Sequence, residues 1–133
     1  MKQAREDNDL SFGTIDSWLH FKLTGEHVTD VTNASRTLLM DLETLKWMKD
    51  ILMTLDIPQS SMPEIKPSLY NFGTNSDLLK NVPLTSVLGD QQAALFGQNC
   101  INSGDVKNTY GTGCFALTNT GNEIVRSNNG LLS

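Results

Sequence analysis

The sequence predicts an α/β fold, and three observations carry that prediction. Apolar residues recur at helical intervals over 15–23 and again over 45–55. A strand-like run, 84–88, breaks at Gly89-Asp90 into an apolar helical stretch. Two alternating runs, 106–110 and 114–118, meet at Gly111-Thr112-Gly113.

Taken in order, residues 1–12 are polar and charged without periodicity and read as a flexible lead-in. Ile15, Trp18, Leu19 and Leu23 then mark one face of a helix, with Thr14 placed to cap its first turn and Gly25 to end it in a left-handed residue. The polar stretch holding Asp30, Asn33, Ser35 and Arg36 reads as a loop with one helical turn, and Leu38, Leu39 and Met40 as a short extended segment. Leu45, Met48, Ile51, Leu52 and Leu55 share one face of a second helix, which Pro58 stops. From Pro58 to Pro83 the chain is rich in proline, serine and asparagine and reads mostly as loop, extended over 70–73. A strand at 84–88, a helix at 91–98, a turn at 102–104 and the antiparallel pair 106–110 and 114–118 complete the reading.

Composition narrows the function. With 133 residues, 38% hydrophobic and 19% charged, the chain has the mixture of a globular domain. Its net charge of −5 is scattered and leaves no basic stripe to neutralise a nucleic-acid backbone, so no nucleic-acid partner is expected. No apolar run approaches the roughly 18 residues that span a bilayer, and the start lacks the apolar centre of a secretory signal, so the protein reads as cytoplasmic. Cys100 and Cys114 have no nearby cysteine or histidine partner; they read as small buried hydrophobes and not as zinc ligands.

Two stretches can carry chemistry. In PLTSVLGDQQAALFGQ, Asp90 follows a strand and opens a helix. That position suits an N-cap, accepting from the first-turn amides, and equally a general base at the carboxyl end of a strand, where open α/β sheets bind ligands. In KNTYGTGCFALTNTG, Gly111-Thr112-Gly113 suits a three-residue hairpin loop and also a turn whose amides and threonine hydroxyl approach a phosphate. The match to a dinucleotide fingerprint through Gly111, Gly113 and Ala116 is weak, because the residues that follow alternate like a strand where the fingerprint needs a helix.

Four stretches in order, GTIDSWL (13–19), VTNASRT (31–37), GDQQAALFGQ (89–98) and KNTYGTGCF (107–115), resemble the glycerol kinases of the FGGY carbohydrate kinase family. The resemblance implies an actin-like, ribonuclease H-like α/β fold of two domains with ATP and glycerol in the cleft between them. Residues 13–100 would be the C-terminal part of the first domain, and 101–133 the opening β-hairpin of the second. It implies that Asp90 is the base that takes the proton of the attacking glycerol hydroxyl, close to a Mg²⁺ ion, with Gln91 beside the glycerol. Gly111, Thr112 and Gly113 would form a phosphate-binding turn for ATP, and Phe115 would pack on the glycerol carbons. Asp16, Trp18, Asn33, Ser35 and Arg36 belong to matching motifs with structural roles.

The resemblance covers only the middle of a longer enzyme, which in intact form is expected to be a homo-oligomer. The 133 residues alone are therefore expected not to phosphorylate glycerol, and their isolated hairpin to be marginal, with an outer edge that seeks a partner. Where bacterial relatives carry a glycine-rich loop with an arginine that binds fructose 1,6-bisphosphate, this chain has NSDLLKNVPLTS, with Asn81 and no glycine, so that inhibition is not carried over. The competing expectations are a truncated, non-catalytic paralogue serving as an interaction module, and another polyol or sugar kinase of the family.

Overall fold

The computed structural model describes residues 9–74 and 81–133. The chain divides into two compact units, the first ending at Leu88 and the second beginning at Gly89.

In the first unit, helix α1 (Ile15–Thr24) lies where the apolar spacing placed it. Gly25 closes it at φ 80°, donating to the Phe21 carbonyl at 2.9 Å, a left-handed ending that glycine adopts without strain. Thr14 departs from its expected capping role: its hydroxyl donates to the Asp16 carboxylate, and no side chain caps the first turn. The buried face also differs from the apolar one. Asp16, Ser17 and His20 are buried, while Ile15, Trp18, Leu19 and Phe21 are exposed. A hydrogen bond from the Thr29 hydroxyl to Asp16 Oδ2 at 2.7 Å and a tilted contact of the His20 ring with the Phe72 ring, centroids 4.7 Å apart, turn the polar side inward.

Strand β1 (Val28–Asp30) follows, buried along its whole length, and pairs in parallel with β4 (Glu64–Lys66), Val28 opposite Glu64 and Asp30 opposite Lys66. Its polar three-residue text hid it among turn residues. Asp30 caps the short helix α2 (Val31–Ala34), which is the helical turn the sequence allowed. The extended segment ending at Met40 becomes β2 (Met40–Asp41), hairpin partner of β3 (Lys46–Trp47).

The second helix begins later than its periodicity predicts: α3 covers only Lys49–Thr54. Asp41 Oδ1 accepts from the amides of Glu43 and Thr44, and Leu45 sits at φ 55° with its amide on the Asp41 carbonyl, so a turn claims the residues that read as a first helical turn. Leu52 remains on the core side, 1% exposed.

Beyond a 3₁₀ turn at Gln59–Ser61, the strand expected at 84–88 does not form as such: the segment meets the run at 70–73 only through isolated bridges, Leu69 opposite Ser86 and Thr74 opposite Pro83, with Phe72 N–H on the Leu84 carbonyl at 2.8 Å and Tyr70 N–H on the Thr85 carbonyl at 3.1 Å. Residues 75–80, which include half of the run compared with the bisphosphate loop, lie outside the described residues, as do 1–8 of the lead-in. Phe12, the last lead-in residue, is held: its amide donates to Ser61 O at 2.7 Å and its carbonyl meets His27 Nε2 at 2.6 Å. Val28, Ala34, Met40, Leu52 and Phe72 form the apolar core of this unit.

The second unit contains helix α4 (Asp90–Gly97) and the expected antiparallel pair β5 (Val106–Tyr110) with β6 (Cys114–Thr118), whose register runs from Val106 opposite Thr118 to Tyr110 opposite Cys114. Asn99, at φ 61°, ends α4 in a left-handed residue, and the Cys100 amide returns to the Leu95 carbonyl at 3.1 Å. The hairpin is not solitary, since α4 packs against β6. The thiols are less buried than expected: Cys100 is half-buried and Cys114 exposed, because Cys114 lies on the solvent-exposed face of the hairpin and not on the face that carries Lys107.

Candidate functional site

Pairing across the hairpin sorts its side chains into two faces. Residues directly opposite point to the same side and neighbours along a strand alternate. Lys107 and Thr109 therefore share a face with their partners Leu117 and Phe115, and Val106, Asn108, Tyr110, Cys114, Ala116 and Thr118 share the other. On the first face Lys107 is buried, only 2% exposed, Thr109 and Leu117 are half-buried and Phe115 is half-exposed, while Tyr110 on the second is 78% exposed.

Helix α4 presents its first turn to the buried face. Gly89 occupies the N-cap position, and Asp90 is the first helical residue, so Asp90 is not the N-cap and caps no amide with its side chain. A carboxylate there still gains from the partial positive charge of the helix start. Asp90 is exposed, and its Oδ2 accepts from Gln91 Nε2 at 3.1 Å. Gln91 Oε1 in turn accepts from Lys107 Nζ at 2.5 Å, and the same ammonium donates to Thr109 Oγ1 at 2.8 Å. A continuous line of hydrogen bonds thus runs from the hairpin to the Asp90 carboxylate.

At the hairpin tip, the Gly111 amide donates to the Gly113 carbonyl at 3.0 Å and closes the loop, leaving Thr112 exposed at its apex. None of the three residues is left-handed, so the tip lacks the alternating backbone of an anion nest. The glycines have other reasons. A Cβ on Gly113 would stand 2.9 Å from the Phe115 ring, which folds back over the tip half-exposed. A Cβ on Gly111 would meet nothing nearer than the Gly113 carbonyl at 3.8 Å, so packing among the described residues does not require glycine there, and the space in front of that backbone is open to a ligand. Sequence reasoning singled out Asp90, Gln91, Gly111, Thr112, Gly113 and Phe115 and passed over Lys107, which the hydrogen bonds join to Gln91. A shallow groove of about 390 Å³ lined by Gln92, Leu95, Phe96, Cys100, Ile101 and Asn119 includes none of these residues.

The matching motifs of the first unit form a separate polar cluster around Asp30. Its Oδ1 accepts from the Asn33 amide and side chain at 3.0 and 2.7 Å, and Oδ2 from the Thr32 amide, the Thr32 hydroxyl and the Ser68 hydroxyl at 3.0, 2.7 and 2.6 Å. Burial alone would raise the Asp30 carboxyl, but the bonds from Ser68, Thr32 and Asn33 together outweigh it and hold the group below its ordinary range. Burial pushes the His20 imidazole down, opposed by the carboxylates of Asp16 and Asp30, and His20 Nδ1 has no partner among the described residues. Asn33 and Ser35 hold this loop; Ser35 donates to the Thr32 carbonyl at 2.8 Å and receives Arg36 Nε at 3.0 Å. Asp16 is buried in the same way, whereas Trp18 is 55% exposed and holds nothing in the core.

Among the described residues no cluster of three histidines, cysteines or carboxylates is placed to hold a metal ion, and no helix is long and apolar enough to cross a membrane. The profile of the FGGY family of carbohydrate kinases, N-terminal domain, matches residues 1–97. The glycerol kinase of Corynebacterium kroppenstedtii is 54% identical over 99% of this chain and 28% of that protein. The crystal structure of Plasmodium falciparum glycerol kinase with ADP superposes with a TM-score of 0.91 at 46% identity, over 98% of this chain and 27% of that one. A ligand-bound xylulose kinase from Lactobacillus acidophilus follows at a TM-score of 0.67 and 25% identity, over 74% and 21%. The chain thus spans about a quarter of the length of the relatives it matches, and the α/β fold is theirs. On the profile match and this geometry, the chain belongs to the FGGY family of carbohydrate kinases.

Proposed function

We propose that the chain is part of a glycerol kinase, a cytoplasmic enzyme that transfers the γ-phosphoryl group of ATP to glycerol and works as a homo-oligomer when intact. The observation that carries this reading is the exposed Asp90 carboxylate at the start of α4, held by Gln91, in the unit that also holds the Gly111-Thr112-Gly113 tip. Likeness to glycerol kinases supports the choice of substrate.

In this mechanism Asp90 accepts the proton of the attacking hydroxyl as its oxygen bonds to phosphorus and ADP departs. Phosphoryl transfer needs positioning and charge cancellation more than covalent help from the protein. Gln91 orients the base and lies beside glycerol, and Phe115 offers a half-exposed ring to the glycerol carbons. The open space before the Gly111 backbone fits close approach by a phosphate, with the Thr112 hydroxyl at the apex as a donor. Asp90, a single exposed carboxylate, suits Mg²⁺, which one or two carboxylates and the substrate phosphates hold without a protein cage. The ion supplies charge neutralisation on the phosphate oxygens. We place the boundary between the two family domains near Cys100, supported by the end of the profile match at residue 97; the compact units part earlier, after Leu88.

The test is an ADP-release assay on the full-length protein containing this chain. ATP- and glycerol-dependent turnover is expected, with xylulose and other sugars poor substrates. Turnover with a sugar in preference to glycerol would overturn the substrate assignment.

A further inference from the structure

Lys107 is the one buried cation of the second unit, and it lies on the hairpin face that packs toward α4. Burying an ammonium is costly unless its donors are matched, and here no carboxylate stands within ion-pair distance of it among the described residues. Its partners among the described residues are two neutral oxygens, Gln91 Oε1 at 2.5 Å and Thr109 Oγ1 at 2.8 Å.

That choice of partner has a chemical consequence at the far end of the glutamine. A carboxamide has an accepting and a donating end, and a half-turn about its last bond exchanges them. An ammonium only donates, so it accepts one of the two orientations and rejects the other. With Oε1 held on Lys107, Nε2 is left to donate to Asp90 Oδ2 at 3.1 Å. Reversed, Gln91 would set its carbonyl oxygen against the carboxylate and its amide hydrogens against the lysine.

We propose that Lys107 is a positioning residue for phosphoryl transfer: by fixing the orientation of the Gln91 amide it holds the Asp90 carboxylate in the rotamer that meets the substrate hydroxyl. The inference rests on the glycerol kinase reading. Thr109, accepting from the same ammonium, fixes Nζ from the other side. A plain packing role for Lys107 predicts only a loss of stability on substitution, so the test reads orientation and not folding.

The experiment uses the full-length enzyme with the substitutions Lys107→Met, Lys107→Arg, Gln91→Ala and the pair Lys107→Met with Gln91→Ala, each checked for folding by circular dichroism and assayed with saturating ATP and varied glycerol. For Lys107→Met, kcat is expected to fall about 10- to 100-fold, the cost of a misplaced reacting group, while Lys107→Arg, which keeps donors for Gln91, recovers most of it. In the Gln91→Ala background Lys107→Met should add little, because the amide through which it acts is gone. Should Lys107→Met fail to fold, Gln91→Glu serves instead: it keeps an acceptor for Lys107 but turns an oxygen toward Asp90, and kcat should fall comparably. An unchanged kcat in folded Lys107→Met or in Gln91→Glu overturns the inference, as does an equal Lys107→Met loss with and without Gln91. A wild-type enzyme lacking glycerol turnover overturns the glycerol kinase reading and this inference together; an active wild type beside unaffected variants overturns the inference alone.

Discussion

Lys107 Nζ donates to Gln91 Oε1 across 2.5 Å, joining strand β5 to the first turn of helix α4. The bond links positions sixteen residues apart, and it is the contact through which the hairpin reaches the proposed base.

Asp90→Asn keeps the shape of the side chain and removes its ability to take a proton. In the full-length enzyme kcat is expected to drop by about 10² to 10⁴, the usual worth of a general base, with a smaller change in the glycerol KM. A coupled assay at saturating ATP reads both constants, and near-normal kcat would remove Asp90 from the mechanism.

The two glycines of the tip should separate under alanine substitution. Gly111→Ala adds a methyl group to open space, so thermal stability should hold while the ATP KM rises, because the phosphate approach is narrowed. Gly113→Ala drives a methyl group to 2.9 Å from the Phe115 ring, and the half-exposed ring must swing away. That should raise the glycerol KM more than the ATP KM. Identical kinetic profiles for the two variants would contradict the division of labour.

Asp30→Ala strips the acceptor from five donated hydrogen bonds on Thr32, Asn33 and Ser68 in a fully buried place. The expected loss is on the order of 2–3 kcal/mol in urea unfolding, against roughly 1 kcal/mol for Ser68→Ala, which removes one donor. Equal losses would mean that the cap on α2 contributes nothing.

Acid should weaken the first unit in two separate windows. The folded state lowers His20 below its ordinary 6.5, so its contribution is whole above that pH and is lost as pH falls toward the folded value. Asp30 is lowered below its ordinary 3.8, so its contribution is whole above that value and drains only in stronger acid. Unfolding followed from pH 8 to 2 should show both steps, and His20→Leu should erase the upper one. An upper step that survives in His20→Leu belongs to another group.

The strands and the turn of the second unit were readable because two short runs flank the glycines where the pair turns, but the burial of Lys107 and the exposure of Val106, Tyr110 and Cys114 were not. The first unit was harder. Its helix α1 was visible from Ile15, Trp18 and Leu19, yet those side chains are exposed and a polar face is buried, since hydrogen bonds to Asp16 and a ring contact to His20 decided the orientation. Strand β1 escaped notice because Val28, Thr29 and Asp30 give three residues, too few for a period, and its partner β4 lies far along the chain. The leucine spacing from Leu45 overran α3 because the Asp41 side chain fixed a turn that apolar periodicity does not register. At the candidate site, the residue types of Asp90 and Thr112 carried the signal; Lys107 could be valued only once its burial and partner were known.

Because the two walls of the β5–β6 hairpin differ so sharply, its evolution is restricted to even steps. Adding or deleting a single residue within either strand would rotate every later side chain by half a turn, bringing Val106 or Asn108 to the place of Lys107 and sending the lysine out to water. The ten paired positions are therefore expected to keep their length and parity.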